Sequence, residues 1–140
     1  MDHQSDAIWL NRLLFTATAY PADYGFFPGT LADDGDPLDA LVLLDESTFP
    51  GCHIDARPVA VFSMRDEAGI DAKVLCVPNG DPRWDHVQDL SDLTPFLLDE
   101  IRHFFEVYKT LQPGGEVEVT GWEDARAARD VIASARRASG

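Results

Sequence analysis

Between Arg12 and Arg57 the chain has no lysine or arginine, yet it carries Asp23, Asp33, Asp34, Asp36, Asp39, Asp45, Glu46 and Asp55. Eight acids in 44 residues repel one another, so the segment folds only if its charge stays in water or is neutralised by cations. Its densest part, Asp33-Asp34-Gly35-Asp36-Pro37-Leu38-Asp39, leads directly into the apolar run Ala40-Leu41-Val42-Leu43-Leu44. That run reads as a short strand, and burying it pins Asp39 near the core. Gly35 and Pro37 impose tight backbone geometry between the carboxylates, which lets Asp34, Asp36 and Asp39 converge. Converging carboxylates take up protons or cations. Oxygen-only ligands suit Mg²⁺, Mn²⁺ or Ca²⁺ and not Zn²⁺. A solvated surface loop with turn-forming aspartates is the competing reading. An EF-hand does not fit, because counting from Asp34 puts Leu38 and then Asp39 where that loop needs an Asp or Asn and then Gly.

The remaining composition narrows the class. With 140 residues and 45% hydrophobic content, the chain is expected to form one globular domain over residues 1–140 around a single core. A net charge of −14 argues against nucleic acid and against anionic membrane as partners. No apolar run approaches the roughly 18–20 residues that span a bilayer. Met1-Asp2-His3-Gln4-Ser5-Asp6 lacks the basic start and apolar stretch of a signal peptide, so a cytoplasmic location is expected. Cys52 and Cys76 belong to no metal or redox motif and read as free buried thiols.

Ala7–Phe15 is rich in large apolar residues and reads as a strand. Tyr20-Pro21 through Pro28-Gly29 reads as an irregular aromatic segment between turn formers. Pro58–Met64 and Asp71–Val77 read as a hairpin turning through Asp66-Glu67-Ala68-Gly69. Val117–Thr120 is a further short strand. From Pro95 to Leu111, Leu97, Ile101, Phe104, Phe105 and Tyr108 recur at helical spacing, with Thr94 as cap and Pro95 at the first position. A second helix follows Trp122, carrying Ala125, Ala128, Ile132 and Ala135. Short strands with two late helices predict an α+β domain containing a small β-barrel.

Other residues suit the same chemistry. Asp71 and Lys73 lie two apart on a predicted strand and share a face, with Asp66 across the turn. They read either as a surface ion pair or, beside the acidic loop, as metal ligands with a phosphate-holding cation. Tyr108-Lys109 at the helix end, with Tyr20, Tyr24 and Arg12, offers phenols and cations suited to phosphate oxygens. Core packing and helix-dipole compensation are the alternatives for Tyr108 and Lys109. No Walker loop, GxSxG or HExxH motif is present.

Several blocks, taken in order, resemble one family. Tyr20-Pro21-Ala22-Asp23-Tyr24-Gly25-Phe26 followed by Asp34-Gly35-Asp36-Pro37-Leu38-Asp39 resembles the signature of the soluble family I inorganic pyrophosphatases of bacterial type. Arg57-Pro58-Val59, the stretch from Asp66 to Lys73, the stretch from His103 to Lys109, and Gly121-Trp122-Glu123 resemble its later blocks. The resemblance implies a five-stranded, OB-like barrel with flanking helices and Mg²⁺-dependent hydrolysis of pyrophosphate to two phosphates, with Mn²⁺ as a substitute ion. It also implies a homo-oligomer, a hexamer in bacterial relatives. Position by position, it implies Asp34, Asp39, Asp66 and Asp71 as metal ligands. Asp36 would accept the proton of the attacking water, and Asp71 is carried as catalytic as well. Arg12, Tyr24, Lys73, Tyr108 and Lys109 match phosphate-binding positions, and Tyr20 matches an active-site tyrosine.

The chain also departs from that pattern. Relatives carry an earlier segment with the first strand, a glutamate ligand, and a lysine and glutamate at the phosphate site. Its lack of a counterpart here is expected to weaken catalysis. Asn11, Pro28, Gly115 and Glu118 stand where relatives often carry other residues. A different substrate on the same scaffold, or a non-catalytic metal- or phosphate-binding protein, remain open at this stage.

Overall fold

The apolar runs become strands β1 (Asp6–Leu13), β2 (Ala22–Phe26), β3 (Asp39–Leu43), β4 (His53–Asp66), β5 (Gly69–Pro78) and β6 (Glu118–Glu123), with helices α1 (Pro95–Thr110) and α2 (Ala125–Ser139). The computed structural model describes residues 6–13, 22–33, 35–43, 53–66, 69–110 and 118–139. The side chains of 6, 7, 9–13, 22, 23, 66 and 107–110 lie outside that description. Cys52, Phe15, Leu44, Leu111 and Val117 likewise fall outside the described residues.

The strands pair in the order β1-β2-β3-β5-β4, and β4 pairs back to β1. Five strands therefore pair in a ring, all drawn from residues 6–78, and β6 extends the sheet from β4. Every pairing is antiparallel except β3 with β5. The long strand β4 changes partners partway along. Its first residues, His53–Ala56, pair β1, whereas Val61–Arg65 pair β6. The register slips between Pro58 and Ala60. Proline has no N–H for the ladder, so a bulge at this point is what the backbone chemistry dictates.

Both faces of β3 and β5 are buried. Ala40, Val42, Val74 and Cys76 join a cluster with Ala128, Ile132 and Ala135 of α2. Leu41, Leu43, Leu75 and Val77 join a second cluster with Ile101 and Phe105 of α1. A parallel pair covered on both faces reads as an unbroken apolar run. That explains the sequence Ala40–Leu43, and on β5 Cys76 is buried with its Sγ 3.8 Å from the Val74 carbonyl. The aromatic side of the second cluster is built by Phe62, whose ring centroid lies 5.1 Å from Trp122 and 6.2 Å from Phe105.

The helix ends follow their caps. Leu97 N–H donates to Thr94 Oγ1 at 3.3 Å, and Pro95 opens α1. Ala127 N–H donates to Asp124 Oδ1 at 3.0 Å to start α2. The connection from β5 to α1 is tied down by Arg57, buried on β4. Its guanidinium donates to Asn79 Oδ1 (3.1 Å) and to the carbonyls of Trp84 (3.0 Å) and Val87 (2.7 Å). No helix among the described residues is long and apolar enough to cross a membrane.

Two expectations need correction. Part of the segment expected to be irregular, Ala22–Phe26, is strand β2. Its Tyr24 and Phe26 pair Leu41 and Asp39, while its other edge pairs β1. Pairing on both edges overrides the weak local signal left by Gly25 and the flanking prolines. Strand β4 also begins at His53, well before Pro58. The polar residues His53 and Asp55 hid that start from a reading based on hydrophobicity.

Asp89 joins two parts of the fold. Its Oδ1 accepts from Leu90 N–H (2.7 Å) and from Ala125 N–H at the start of α2 (2.9 Å). These bonds, first to Ala125 and then to Leu90, hold its carboxyl below the ordinary carboxylate range. A lowered folded pKa means stability that is present above the unfolded value of about 3.9 and lost as pH falls through the folded pKa. Asp89→Ala is expected to cost about 1 kcal/mol near neutral pH, the typical value of a lost cap. In urea titrations at a series of pH values, that difference should shrink below about pH 4.

Candidate active site

The parallel pairing of β3 with β5 sets Asp39 directly opposite Lys73. Strand alternation puts Asp71 on the same face of β5. Tyr24 comes to this face from β2, where it pairs Leu41. The Lys73 ammonium donates to Asp39 Oδ2 at 2.8 Å, to Asp71 Oδ1 at 3.1 Å and, more weakly, to Tyr24 Oη at 3.5 Å. It also lies 5.4 Å from the Tyr24 ring centre and 5.1 Å from that of Phe105. Its three protons thus meet two carboxylates and a phenol, with aromatic faces alongside. Lys73 is only 4% exposed, a position a lysine holds only when its charge is paired.

Asp39 and Asp71 share one ammonium, and their side chains keep 22% and 15% exposure while Lys73 is sealed behind them. Partly exposed, oxygen-only donors suit a hard divalent cation. They do not suit a thiolate- or imidazole-seeking metal.

The acidic loop is shaped by its own backbone. Phe27 N–H donates to the Leu38 carbonyl at 3.0 Å. Thr30 Oγ1 accepts from Leu38 N–H at 2.9 Å and donates to the Phe27 carbonyl at 2.6 Å. Inside this neck, Ala32 N–H donates to the Asp36 carbonyl at 2.8 Å, and Gly35 N–H donates to the Ala32 carbonyl at 3.0 Å. Gly35 has φ +88°, a backbone conformation that residues with a Cβ seldom adopt. The loop thus closes on itself, with Asp36 exposed on it and Asp39 returned to the sheet.

Of the residues read from the sequence, Tyr24, Asp39, Asp71 and Lys73 are brought together. Arg12 sits opposite Tyr24 in the β1–β2 register, and Asp66 sits opposite Gly69 at the β4–β5 turn. Tyr108 and Lys109 follow Phe105 by one turn of α1. The side chains of Arg12, Asp66, Tyr108 and Lys109 are outside the description, and Asp34 and Tyr20 lie outside the described residues altogether. Among the described residues no three His, Cys, Asp or Glu side chains form a metal-holding group. Phe105, a core residue by its helical spacing, also lies beside the ammonium. Its helical spacing with Ile101 marks it as buried and carries no sign of the neighbouring ammonium.

Comparison with known proteins gives the same answer along the whole chain. A sequence model of the inorganic pyrophosphatase family matches residues 1–139. The inorganic pyrophosphatase of Leifsonia xyli subsp. xyli is 53% identical over 132 residues, covering 94% of this chain and 81% of that protein. That of Streptomyces coelicolor is 57% identical over 122 residues, covering 87% of this chain and 75% of that protein. The structure of the inorganic pyrophosphatase from Helicobacter pylori aligns with a TM-score of 0.86 at 38% identity, over 99% of this chain and 95% of that one. An OB-like sheet ring flanked by two helices, the Asp39–Lys73–Asp71 group on it and this likeness over nearly the full length agree, and the chain belongs to the inorganic pyrophosphatase family.

Proposed function

We infer that the chain hydrolyses inorganic pyrophosphate to two phosphates. The observation that carries this reading is the Lys73 ammonium held between Asp39 and Asp71, in a chain that belongs to the inorganic pyrophosphatase family. We propose Mg²⁺ as the cofactor, with Mn²⁺ as a substitute, and Asp34, Asp39, Asp66 and Asp71 as the residues that would hold it. Bound there, the ion would acidify the attacking water and offset charge on both phosphates.

The chain's own side chains divide the remaining work. The water oxygen attacks one phosphorus as the bridging P–O bond breaks, and we assign Asp36 to take the proton that the water releases. Asp36 suits this task because it is exposed on a loop whose backbone is fixed on either side. The departing phosphate gains negative charge, and Arg12, Lys73, Lys109, Tyr20, Tyr24 and Tyr108 are proposed to meet it. Lys73 has its three protons engaged, and the Tyr24 contact is the longest at 3.5 Å. A phosphate oxygen would replace that contact, leaving both carboxylates in place. The proposal extends to a cytoplasmic homo-oligomer, a hexamer by resemblance, with pyrophosphate and phosphate as its small-molecule partners.

Phosphate release from pyrophosphate, measured with and without Mg²⁺ and against a panel of organic phosphates, is the direct test. Rapid Mg²⁺-dependent release with pyrophosphate preferred is expected, and no release by the folded protein refutes the reading. Asp36→Asn should lower kcat about 10²–10⁴-fold, the usual contribution of a positioned base. Lys73→Met leaves two neighbouring carboxylates without their shared cation. It should lower kcat/KM by about 10²-fold or more, in the range found for loss of one donor to a developing anion. Size-exclusion chromatography with light scattering should give a mass above that of one chain, and a monomer alone would overturn the oligomer.

A further inference from the structure

The acidic loop and the β4–β5 hairpin carry different members of the candidate metal site, Asp34 and Asp39 on one and Asp66 and Asp71 on the other. Something must hold these two backbone segments at a fixed separation, because divalent cations of the Mg²⁺ type demand near-ideal ligand geometry. Asp33 bridges them. It lies in the acidic loop, and its Oδ2 accepts the backbone N–H of Ile70 at 3.3 Å. Gly69 lies close against the same side chain. A Cβ built there would stand 3.3 Å from both Cβ and Oδ2 of Asp33, and Gly69 has φ +124°. The turn therefore approaches Asp33 with bare backbone, at a residue whose conformation side chains rarely adopt.

Beside this bridge opens a cavity of about 330 Å³ whose walls include Asp33, Leu38, Ile70, Ala72, Val131 and Ala135. The loop is anchored at its base, where Leu31 N–H donates to the Ala135 carbonyl at 2.9 Å. Beyond that point, Asp33 is the residue seen to tie it to the turn among the described residues.

We propose that Asp33 is a positioning residue. Its side chain staples the acidic loop to the β4–β5 turn and sets the spacing between the carboxylates on the two segments, without itself binding the ion or the substrate. The staple needs a side-chain oxygen that accepts from Ile70 N–H and does not need a negative charge. This role rests on the pyrophosphatase reading and separates from it by experiment.

The test compares Asp33→Ala and Asp33→Asn with the unaltered protein, measuring pyrophosphate turnover across a Mg²⁺ titration. Asparagine keeps an acceptor oxygen of the same reach, and alanine removes it. Asp33→Ala should raise the Mg²⁺ concentration for half-maximal activity about three- to tenfold, the effect of losing one net hydrogen bond. Asp33→Asn should stay within about twofold of the unaltered protein on the same scale. Thermal melting of both variants separates loss of fold from loss of spacing, since a merely structural residue would lower the midpoint and leave the Mg²⁺ requirement of the folded fraction unchanged. An Mg²⁺ requirement in Asp33→Ala equal to that of the unaltered protein overturns the staple. An Asp33→Asn variant as impaired as Asp33→Ala overturns it too, and points to the carboxylate charge. Absence of turnover in the unaltered protein refutes the pyrophosphatase reading, and Mg²⁺ binding by calorimetry to the same three proteins then decides the staple by the same ratios.

Discussion

A lysine ammonium sealed between two aspartates and two aromatic rings sets the terms for the rest of this molecule. Removing a charge from water carries a penalty of several kcal/mol, and only close, well-oriented partners repay it. Lys73 has such partners because Asp39 and Asp71 reach it from adjacent parallel strands while Tyr24 and Phe105 close the sides. The arrangement depends on strand order. A shift of one residue between β3 and β5 would turn Asp39 away from Lys73 and cost the ammonium its shorter carboxylate contact, leaving it Asp71 from its own strand. The apolar residues that follow on both strands, Leu41 and Leu75 toward α1 and Val42 and Cys76 toward α2, penalise the same slip. Core packing and site electrostatics therefore select one register.

The group is buried at its ammonium and partly open at its carboxylates. Asp39 and Asp71 share the Lys73 ammonium, and both side chains keep partial exposure. The acidic loop adds more negative charge on a backbone held by its own hydrogen bonds. Carboxylates brought together in this way suit the small, hard cation proposed for the site. This also accounts for a segment of 44 residues without a basic side chain, whose counter-charge comes from Lys73 on a later strand and from the proposed ion.

How far the sequence foretold this differs from element to element. Helix α1 was legible because its apolar stripe, Thr94 and Pro95 agree with one another. The core strands β3 and β5 were legible as apolar runs. Strand β2 was not, because Gly25 and the nearby prolines speak for a turn, and only pairing on both edges overrules them. Of the candidate site, the carboxylate spacing and the shared face of Asp71 and Lys73 could be read directly. The dual place of Phe105, in the core and beside the ammonium, could not, because helical periodicity shows that a residue is buried without showing what it is buried against.

The chain by itself determined the chemistry available, which is oxygen ligands at close spacing, a few cations held in reserve and no thiol or imidazole cluster. Composition and local pattern suffice for that, since ligand type is a property of single residues. The tertiary structure decided which of these residues meet. It paired Asp39 with Lys73, residues 34 positions apart, and placed Asp33 against Ile70 at a distance of 37 positions along the chain. Such contacts depend on strand order and register, which follow from how the whole set of apolar faces is buried at once. No local stretch of sequence carries that information.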